Sequence, residues 1–279
     1  SRMADAMDIL VRPMLENYPV ILASVAGCCL IQVLCATLSP KLVGEPYNRL
    51  SKADKLDWAV RFVSLAHAVV SWGTIYGYVY PPEELAPGLD LGTGEMVYDH
   101  YAFSAQSQFF YSVSCGYFLW DIVSSIYFNW GALFITHAFA SFGVFYFSLY
   151  PFLHLWGRFY LGVFEISTLF LHTRGLLQLA KADSGPFYAA MEGLFALTFT
   201  VFRIVIGFYV TYFWWFEMVG LITSGKAHSS AVVCYYLFAN SILMALQAYW
   251  FVLLLMAALG LGTPADKPSN DEEDKKKSQ

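Results

Sequence analysis

Long apolar runs separated by short polar segments form the main pattern of this chain. A helix needs about 20 apolar residues to cross the hydrocarbon layer of a membrane, and seven runs reach about that length. They predict transmembrane helices over residues 18–38, 58–80, 103–128, 132–150, 158–179, 187–215 and 231–261. Residues 216–224 either extend the sixth helix or form a turn at the membrane surface. The predicted fold class is therefore all-α, a polytopic membrane bundle of about seven helices.

The polar segments divide the chain into three parts. Residues 1–17 are predicted to be a short segment on the luminal or exterior side, and residues 18–262 the transmembrane domain. Residues 263–279 are rich in charged residues and almost lack apolar ones, which predicts a disordered cytosolic tail. Prolines at 40, 81, 82 and 151 follow or end apolar runs and favour helix ends there.

The composition supports a membrane protein. The chain has 58% hydrophobic, 18% aromatic and 13% charged residues, whereas a soluble domain has about 25% charged residues. No basic stripe indicates a nucleic-acid partner. The five cysteines lie in apolar runs, and their odd number and spacing match neither a disulfide framework nor a zinc site. We therefore expect buried, unpaired thiols, no bound metal and no resident cofactor.

Positive charge predicts the orientation in the membrane. Lys and Arg are concentrated in the first and fifth connecting segments and in the tail, whereas residues 83–100 contain five acidic residues and no Lys or Arg. Because positively charged loops stay in the cytosol, the C-terminus is predicted to be cytosolic. Lys276 and Lys277 resemble the dilysine retrieval signal of endoplasmic-reticulum membrane proteins and predict that location. The alternative is an ordinary solvated lysine run.

Polar side chains lie inside several predicted transmembrane helices. Glu165, Thr168 and His172 are three and seven residues apart and so share one helix face. A charged group at the bilayer centre costs about 2.5–3.5 kcal/mol, so we expect Asp121, Glu165 and Arg203 to face inward, with Arg203 as counter-ion of one acid. The predicted pocket residues are His67, Asp121, His137, Glu165, Ser167, Thr168, His172 and Arg203.

An alternative for such groups is that they fasten helices together through buried hydrogen bonds. This alternative applies most directly to His67 and His154. His154, beside Pro151 and near a helix end, is expected at the membrane surface. The histidines and acids are dispersed, without a pair one helical turn apart, so a metal site is not predicted.

Five fragments of the chain, taken in order, resemble the TLC domain, the family named for the TRAM, Lag and CLN proteins. The fragments are RFVSLAHAVVSWGTIYGYVY from residue 61, SCGYFLWDIVSSI from 114, FITHAFASFGVFYF from 134, GRFYLGVFEISTLFLHTRGLL from 157 and TVFRIVIGF from 200. The chain most resembles the small TLC-domain-containing proteins related to ceramide synthases. The resemblance implies a core over about 58–261, in which the second to seventh helices surround a central pocket and the first helix packs outside.

Ceramide synthases in this family join a fatty acyl group from acyl-CoA to a sphingoid base, and they carry a His-His pair and a His-Asp pair. At the first pair this chain has His137 and Ala138. At the second pair it has Phe164 and Glu165. His172 shares the predicted face of Glu165 and could substitute for the missing histidine. If the chain is an enzyme, the resemblance implies His137 as the base and Glu165 as the group that orients it.

Three functions are compatible with these features. The first is a lipid-binding TLC protein that acts in membrane lipid homeostasis, with a head group near His137 and Glu165. The second is an acyltransferase that uses acyl-CoA as its substrate. The third is a seven-helix receptor, which only the number of helices supports; a retinal-binding form needs a lysine in the last helix, and residues 231–261 have none. The predicted partners are membrane lipids, and a homodimer is one assembly that the sequence leaves open.

Overall fold

The computed structural model describes residues 7–89 and 96–261, and most of them are helical. The helices are α1 (Arg12–Leu42), α2 (Glu45–Asn48), α3 (Lys52–Val79), α4 (Ala105–Tyr127), α5 (Ala132–Phe147), α6 (His154–Leu179), α7 (Gly185–Thr198), α8 (Gly207–Thr223) and α9 (Ser230–Ala258). A π-helical turn, Met7–Val11, precedes α1, and a π-helical segment, Phe199–Ile206, joins α7 to α8. Two short antiparallel strands, β1 (Gly88–Leu89) and β2 (Met96–Val97), lie in the loop before α4. The predicted tail with Lys276 and Lys277 lies outside the described residues.

Seven helical segments of the described chain correspond to the seven predicted transmembrane helices. Each of α1, α3, α4, α5, α6 and α9 matches one apolar run. The continuous helix formed by α7, the π-helical segment and α8 matches the sixth run, and it extends to Thr223 without a surface turn. The chain is a multi-pass membrane protein with an all-α fold.

Hydropathy alone identifies some of the transmembrane helices and not others. Within the described residues, length and composition alone identify four segments that can cross a membrane, Met7–Leu42, Lys52–Val79, Gly185–Thr223 and Ser230–Ala258. At about 1.5 Å per residue, α4 and α6 are also long enough, but their polar residues lower their hydropathy. These two helices bury many residues, whereas α7 buries none. The polar side chains of the bundle are therefore concentrated on its inner helices.

Local sequence explains some helix limits and not others. Ser51 caps α3, because its side-chain oxygen accepts a hydrogen bond from the backbone N–H of Asp54 at 3.1 Å, as serines in this position commonly do. Pro40 was predicted to stop the first helix, but α1 continues past it. The helix persists because the next turn still closes, with the N–H of Val43 donating to the carbonyl of Ser39 at 2.9 Å.

The first transmembrane helix packs on the outside of the bundle, as expected. α1 contacts α3 and α4, and few of its residues are buried. Its closest approach is at Gly116 of α4, where the carbonyl of Ile21 and the side chain of Ser24 occupy the space that a Cβ would need. The hydroxyl of Ser24 also donates to the carbonyl of Val113 at 2.7 Å.

The remaining helices surround an interior space. α6 contacts α3, α4, α7 and the π-helical segment, while α5 packs between α4 and α9. α9 in turn contacts α8 and the π-helical segment. These contacts leave a cavity between α5, α6, α8 and α9.

Candidate functional site

A cavity of about 100 Å³ lies inside the bundle. One buried water needs about 10–15 Å³, so the cavity can hold a group of several heavy atoms. Its lining consists of Phe118 on α4; His137, Ser141, Val144, Phe145 and Ser148 on α5; Leu153 before α6; Trp156, Gly157, Tyr160, Leu161, Phe164 and Glu165 on α6; Arg203; Trp214 on α8; and Tyr236, Asn240, Leu243, Met244 and Gln247 on α9. Among the described residues α3 contributes none, because it packs against another face of α6.

The ionisable groups of the cavity lie at one end, called here the polar end, and two tryptophans lie at the other, called the aromatic end. His137, Glu165 and Arg203 line the polar end, about halfway along α6. Trp156 and Trp214 line the aromatic end. Trp156 precedes Glu165 by nine residues, which corresponds to about 13 Å along the helix axis. This arrangement suits a molecule that has a polar group and a hydrocarbon chain.

Arg203 is held in one orientation by neutral acceptors. Its Nε donates to the carbonyl oxygen of Phe164 at 2.9 Å and to the hydroxyl of Ser167 at 2.8 Å. One terminal nitrogen donates to Oγ1 of Thr168 at 2.9 Å, and the other donates to Oε1 of Gln247 at 3.3 Å. The guanidinium therefore joins α6, the π-helical segment and α9.

The ion pair that we expected for Arg203 is replaced by a longer-range interaction. In the part of the chain that the structure describes, no carboxylate oxygen lies within 4.0 Å of its guanidinium. Glu165 interacts with Arg203 electrostatically, and Asp121 interacts with Glu165. Two acids and one arginine thus share the interior, and neutral hydrogen bonds rather than a salt bridge orient the arginine.

The π-helical segment positions Arg203 at the cavity. Phe199–Ile206 is wider than an α-helix, and such segments often occur at functional sites. The central carbon of the Arg203 guanidinium lies 5.7 Å from the ring centre of Phe164 and 5.6 Å from that of Phe199. Both distances allow a cation–π contact. The aromatic rings cover the faces of the guanidinium that its hydrogen bonds leave free.

His137 and Glu165 both line the cavity, but no hydrogen bond joins them among the described residues. The ring of His137 packs between Phe118 and Trp250, with centroid distances of 6.0 and 5.9 Å. The acid that would orient the imidazole in a ceramide-synthase-like pair is therefore not in direct contact with it. Only a group placed between them can connect the two.

Ser167 and Thr168 act behind the cavity lining. Both are buried, and both accept hydrogen bonds from Arg203. His67 is more remote, between α3 and α4. Its ring stacks on Tyr117 at a centroid distance of 3.9 Å, and its Nε2 lies 3.2 Å from Oγ of Ser114. In the structure His67 thus makes a helix-to-helix contact and does not line the cavity.

Asp121 and His172 lie near the polar end without lining it. Asp121 interacts electrostatically with Glu165. His172 lies two turns after Glu165 on α6 and interacts electrostatically with Arg61 and Arg203. Its Nδ1 is buried and has no hydrogen-bond partner among the described residues. Neither side chain belongs to the cavity lining.

α9 contributes two amide side chains that the sequence analysis did not select. Gln247 accepts the hydrogen bond from Arg203, and Oδ1 of Asn240 accepts one from the indole of Trp215 at 3.1 Å. The two amides are seven residues apart and so lie on one helix face. A polar pair with this spacing in an apolar run was the available signal for both residues.

A second buried polar cluster lies where α6 begins. Arg158 is fully buried, with Nε donating to Ser107 at 2.6 Å and a terminal nitrogen donating to Ser104 at 3.0 Å. Nδ1 of His154 accepts from the backbone N–H of Ser104 at 3.0 Å, and Nε2 lies 3.0 Å from the carbonyl of Ser148. His154 was expected at the membrane surface; within the protein its side chain is buried, and these partners satisfy both ring nitrogens.

Connecting segments cover the bundle at the end where α6 and α9 begin. The ring of His228 stacks on Tyr150 at a centroid distance of 4.9 Å and contacts Phe152 at 4.5 Å. The hydroxyl of Tyr101 accepts the backbone N–H of His228 at 2.8 Å and donates to the carbonyl of Lys226 at 3.1 Å. Burial lowers the pKa of His228 to about 4. The imidazole is therefore neutral near pH 7.

The thiols are unpaired, but their burial is mixed. Cys28 and Cys115 are buried as predicted, whereas Cys29 and Cys234 are exposed on apolar helix surfaces. These two positions face the membrane side of the bundle. The described residues contain no group of three or more His, Cys, Asp or Glu side chains that could hold a metal ion.

Comparison with known proteins gives one family and one curated relative. Residues 57–256 match the family model of the TLC domain. An uncharacterized TLC domain-containing protein of Schizosaccharomyces pombe is 29% identical over 234 residues, which cover 83% of this chain and 75% of that protein. No solved structure matches the chain. The matched region contains the whole cavity lining and excludes α1.

Proposed function

Because this chain belongs to the TLC domain family, we propose that it binds a membrane lipid in the cavity and acts in membrane lipid homeostasis. The observation that carries the proposal is the amphipathic cavity inside a membrane-spanning bundle. His137, Glu165 and Arg203 offer polar contacts at one end, and Trp156 and Trp214 offer an apolar surface at the other. A lipid has the same division into a head group and a chain.

We also propose a location and an orientation for this activity. Lys276 and Lys277 near the C-terminus support retrieval to the endoplasmic reticulum, and the distribution of Lys and Arg supports a cytosolic C-terminus. Both are tested by expressing the chain with Lys276 and Lys277 replaced by serine. Loss of the reticular location supports the signal, and an unchanged location contradicts it.

Lipid binding is tested by mass spectrometry of lipids that stay with the purified protein through detergent exchange. Ser141→Phe should reduce the retained lipid, because Ser141 is buried on the cavity lining and a phenyl ring would fill the space. Val123→Phe is the matched control, because Val123 is 61% exposed on α4 and lies outside the lining. Equal retention by wild type and both variants would contradict binding in this cavity.

The same preparation tests the oligomeric state by light scattering. A homodimer would have twice the 31.4 kDa mass of the chain, after subtraction of detergent.

A second candidate function is acyl transfer from acyl-CoA to an amine. The observation in its favour is that His137 and Glu165, the two residues matched to ceramide synthase motifs, both line the cavity. The test is incubation of purified protein with long-chain acyl-CoA and sphinganine, followed by mass spectrometry. Ceramide formed by the wild type and lost in His137→Ala would support catalysis. Lipid retention without ceramide would favour the binding function for this substrate pair.

A further inference from the structure

On the basis of the lipid-binding function proposed above, we infer that the polar end of the cavity binds a lipid with an anionic oxygen head group and a single hydrocarbon chain. Binding of this lipid is accompanied by uptake of one proton by Glu165.

Arg203 has hydrogen-bonding capacity that the protein does not use. A guanidinium carries five N–H groups, and the contacts to Phe164, Ser167, Thr168 and Gln247 occupy three of them. The acceptors are all neutral. A charge inside a membrane protein is costly without a partner, and a carboxylate or phosphate would supply both acceptors and the opposite charge.

The neighbouring polar groups also favour a ligand rich in acceptors. Gln247 uses its amide oxygen to accept from Arg203, so its amide nitrogen is the atom left to meet a ligand. His137 makes no hydrogen bond to another described residue and can donate one N–H when neutral. Three side chains thus offer N–H groups at this end of the cavity. An ammonium head group can only donate, so it would face these three donors and could bond at this end to the carboxylate of Glu165.

The size of the cavity limits the rest of the ligand. Its volume of about 100 Å³ is enough for several heavy atoms, since a cavity needs about 10–15 Å³ to hold one water. The distance from the polar to the aromatic end is about 13 Å along α6. A small head group and part of one chain suit these dimensions, whereas two acyl chains side by side do not.

Glu165 lies at the same end and opposes a second negative charge. Two carboxylates close together disfavour the ionised state of one of them. An anion therefore binds more easily when Glu165 takes a proton from water, and the complex then keeps one negative charge beside Arg203. The other titratable or charged groups around this end are Arg61, Tyr117, Asp121, His137, His172 and Arg203. Of the two acids near the polar end, Asp121 and Glu165, only Glu165 is on the cavity lining.

The test compares four lipids with the same chain and different head groups. Oleate, oleoyl lysophosphatidate, oleyl alcohol and oleylamine compete with tritiated oleate for purified full-length protein in neutral detergent. We expect oleate or oleoyl lysophosphatidate to bind at least tenfold more tightly than oleyl alcohol, and oleylamine to bind most weakly. The order of the two anions distinguishes a carboxylate from a phosphate ligand.

Substitution of Glu165 gives the sharper test, because loss of this polar side chain is expected to increase the affinity for oleate. Glu165→Gln should bind oleate at least threefold more tightly than the wild type, since the variant needs no proton. Asp121→Asn is the matched control: it makes the same chemical change on an acid outside the lining, and should change affinity much less. Arg203→Gln should weaken the binding of both anions to the level of the alcohol.

The pH dependence is measured with N-oleoyltaurine, whose sulfonate stays ionised. Uptake of one proton limits the affinity change to tenfold per pH unit. We expect the wild type to bind at least threefold more tightly at pH 6.5 than at pH 7.5, and Glu165→Gln to show no such change. Arg203→Gln is not needed for this arm, so a folding defect in that variant leaves the test intact.

The outcomes separate this inference from the lipid-binding function. Preference for oleylamine, or weaker oleate binding by Glu165→Gln, would overturn the anionic head group while leaving lipid binding in place. Equal binding of oleate and oleyl alcohol would also overturn the anionic head group while leaving lipid binding in place. Failure of all four lipids to bind would contradict the single-chain ligand, and only the further absence of any retained lipid on the purified protein would contradict the proposed function itself.

Discussion

Replacement of Gly116 by alanine is expected to force α1 away from the bundle. The added Cβ would lie 2.5 Å from Cβ of Ser24 and 2.8 Å from its hydroxyl, and it would also collide with the backbone carbonyl of Ile21. Ordinary contacts begin at 3.4 Å, so the two helices must move apart by roughly 1 Å, because overpacked side chains are relieved by backbone shifts. Neither a backbone carbonyl nor a Cβ can turn away as the end of a long side chain can.

The cost of this shift can be estimated from its parts. Overpacking of this kind destabilises a protein by about 1–3 kcal/mol. Movement of α1 also weakens the 2.7 Å hydrogen bond from Ser24 to Val113, and such bonds between membrane helices contribute about 0.6 kcal/mol on average. The helix propensity of alanine offsets at most about 1 kcal/mol. We expect a net loss of about 1–3 kcal/mol in the free energy of unfolding.

The assay is reversible unfolding of the purified protein in mixed micelles with increasing dodecyl sulfate, followed by tryptophan fluorescence. Gly27→Ala is the matched control on α1, because a Cβ at that position meets nothing within 4 Å. It should leave stability unchanged or slightly higher. Equal stability of Gly116→Ala and Gly27→Ala would refute the reasoning. Lipid retention should survive in both variants, since α1 does not line the cavity.

Three further predictions use the same unfolding assay. Gly77→Ala should cost about 1–3 kcal/mol, because the guanidinium of Arg158 occupies the place of the new Cβ; an unaffected midpoint would mean that Arg158 can leave its site freely. Arg203→Lys should cost about 1–2 kcal/mol, because one ammonium cannot reach all four acceptors of the guanidinium, and wild-type stability in the variant would contradict that role. The third concerns His228, whose pKa is lowered by burial to about 4 in the folded state, against 6.5 for an ordinary histidine. The unfolded chain binds more protons between these values, so this contribution is complete above about pH 6.5 and is lost as the pH falls toward 4. His228→Phe should make stability less dependent on pH in that range, and an unchanged slope would rule the assignment out.

The number and order of the transmembrane helices could be predicted because the length of an apolar run directly reflects membrane crossing. The course of the sixth helix could not be predicted in the same way. Residues 216–224 have a composition that suits either a helix or a surface turn. Trp214 and Met218 are buried in one cluster with Val233 and Tyr236 of α9. This tertiary packing favours the continued helix, and no local pattern reports it.

The ionisable groups of the candidate site were selected correctly as interior residues, but their partners were not. Arg203 bonds to the carbonyl of Phe164 and to Gln247. A side-chain pattern cannot indicate which backbone carbonyls are free to accept, and neutral amides carry no charge to attract notice. The sequence pattern likewise did not indicate the partners of Arg158. Its position at the start of an apolar run resembles that of a surface arginine, yet Ser104 and Ser107, at the N-terminal end of α4, hold it inside.

The π-helical segment also determines which residues of α8 face the cavity. Each residue turns an α-helix by about 100°, so loss of one residue within Phe199–Ile206 would leave α7 in place and rotate α8 by that angle. Trp214 would then leave the cavity, and another residue of α8 would take its place. A single insertion or deletion here would therefore exchange one wall of the cavity at once, which substitutions could reproduce only one position at a time.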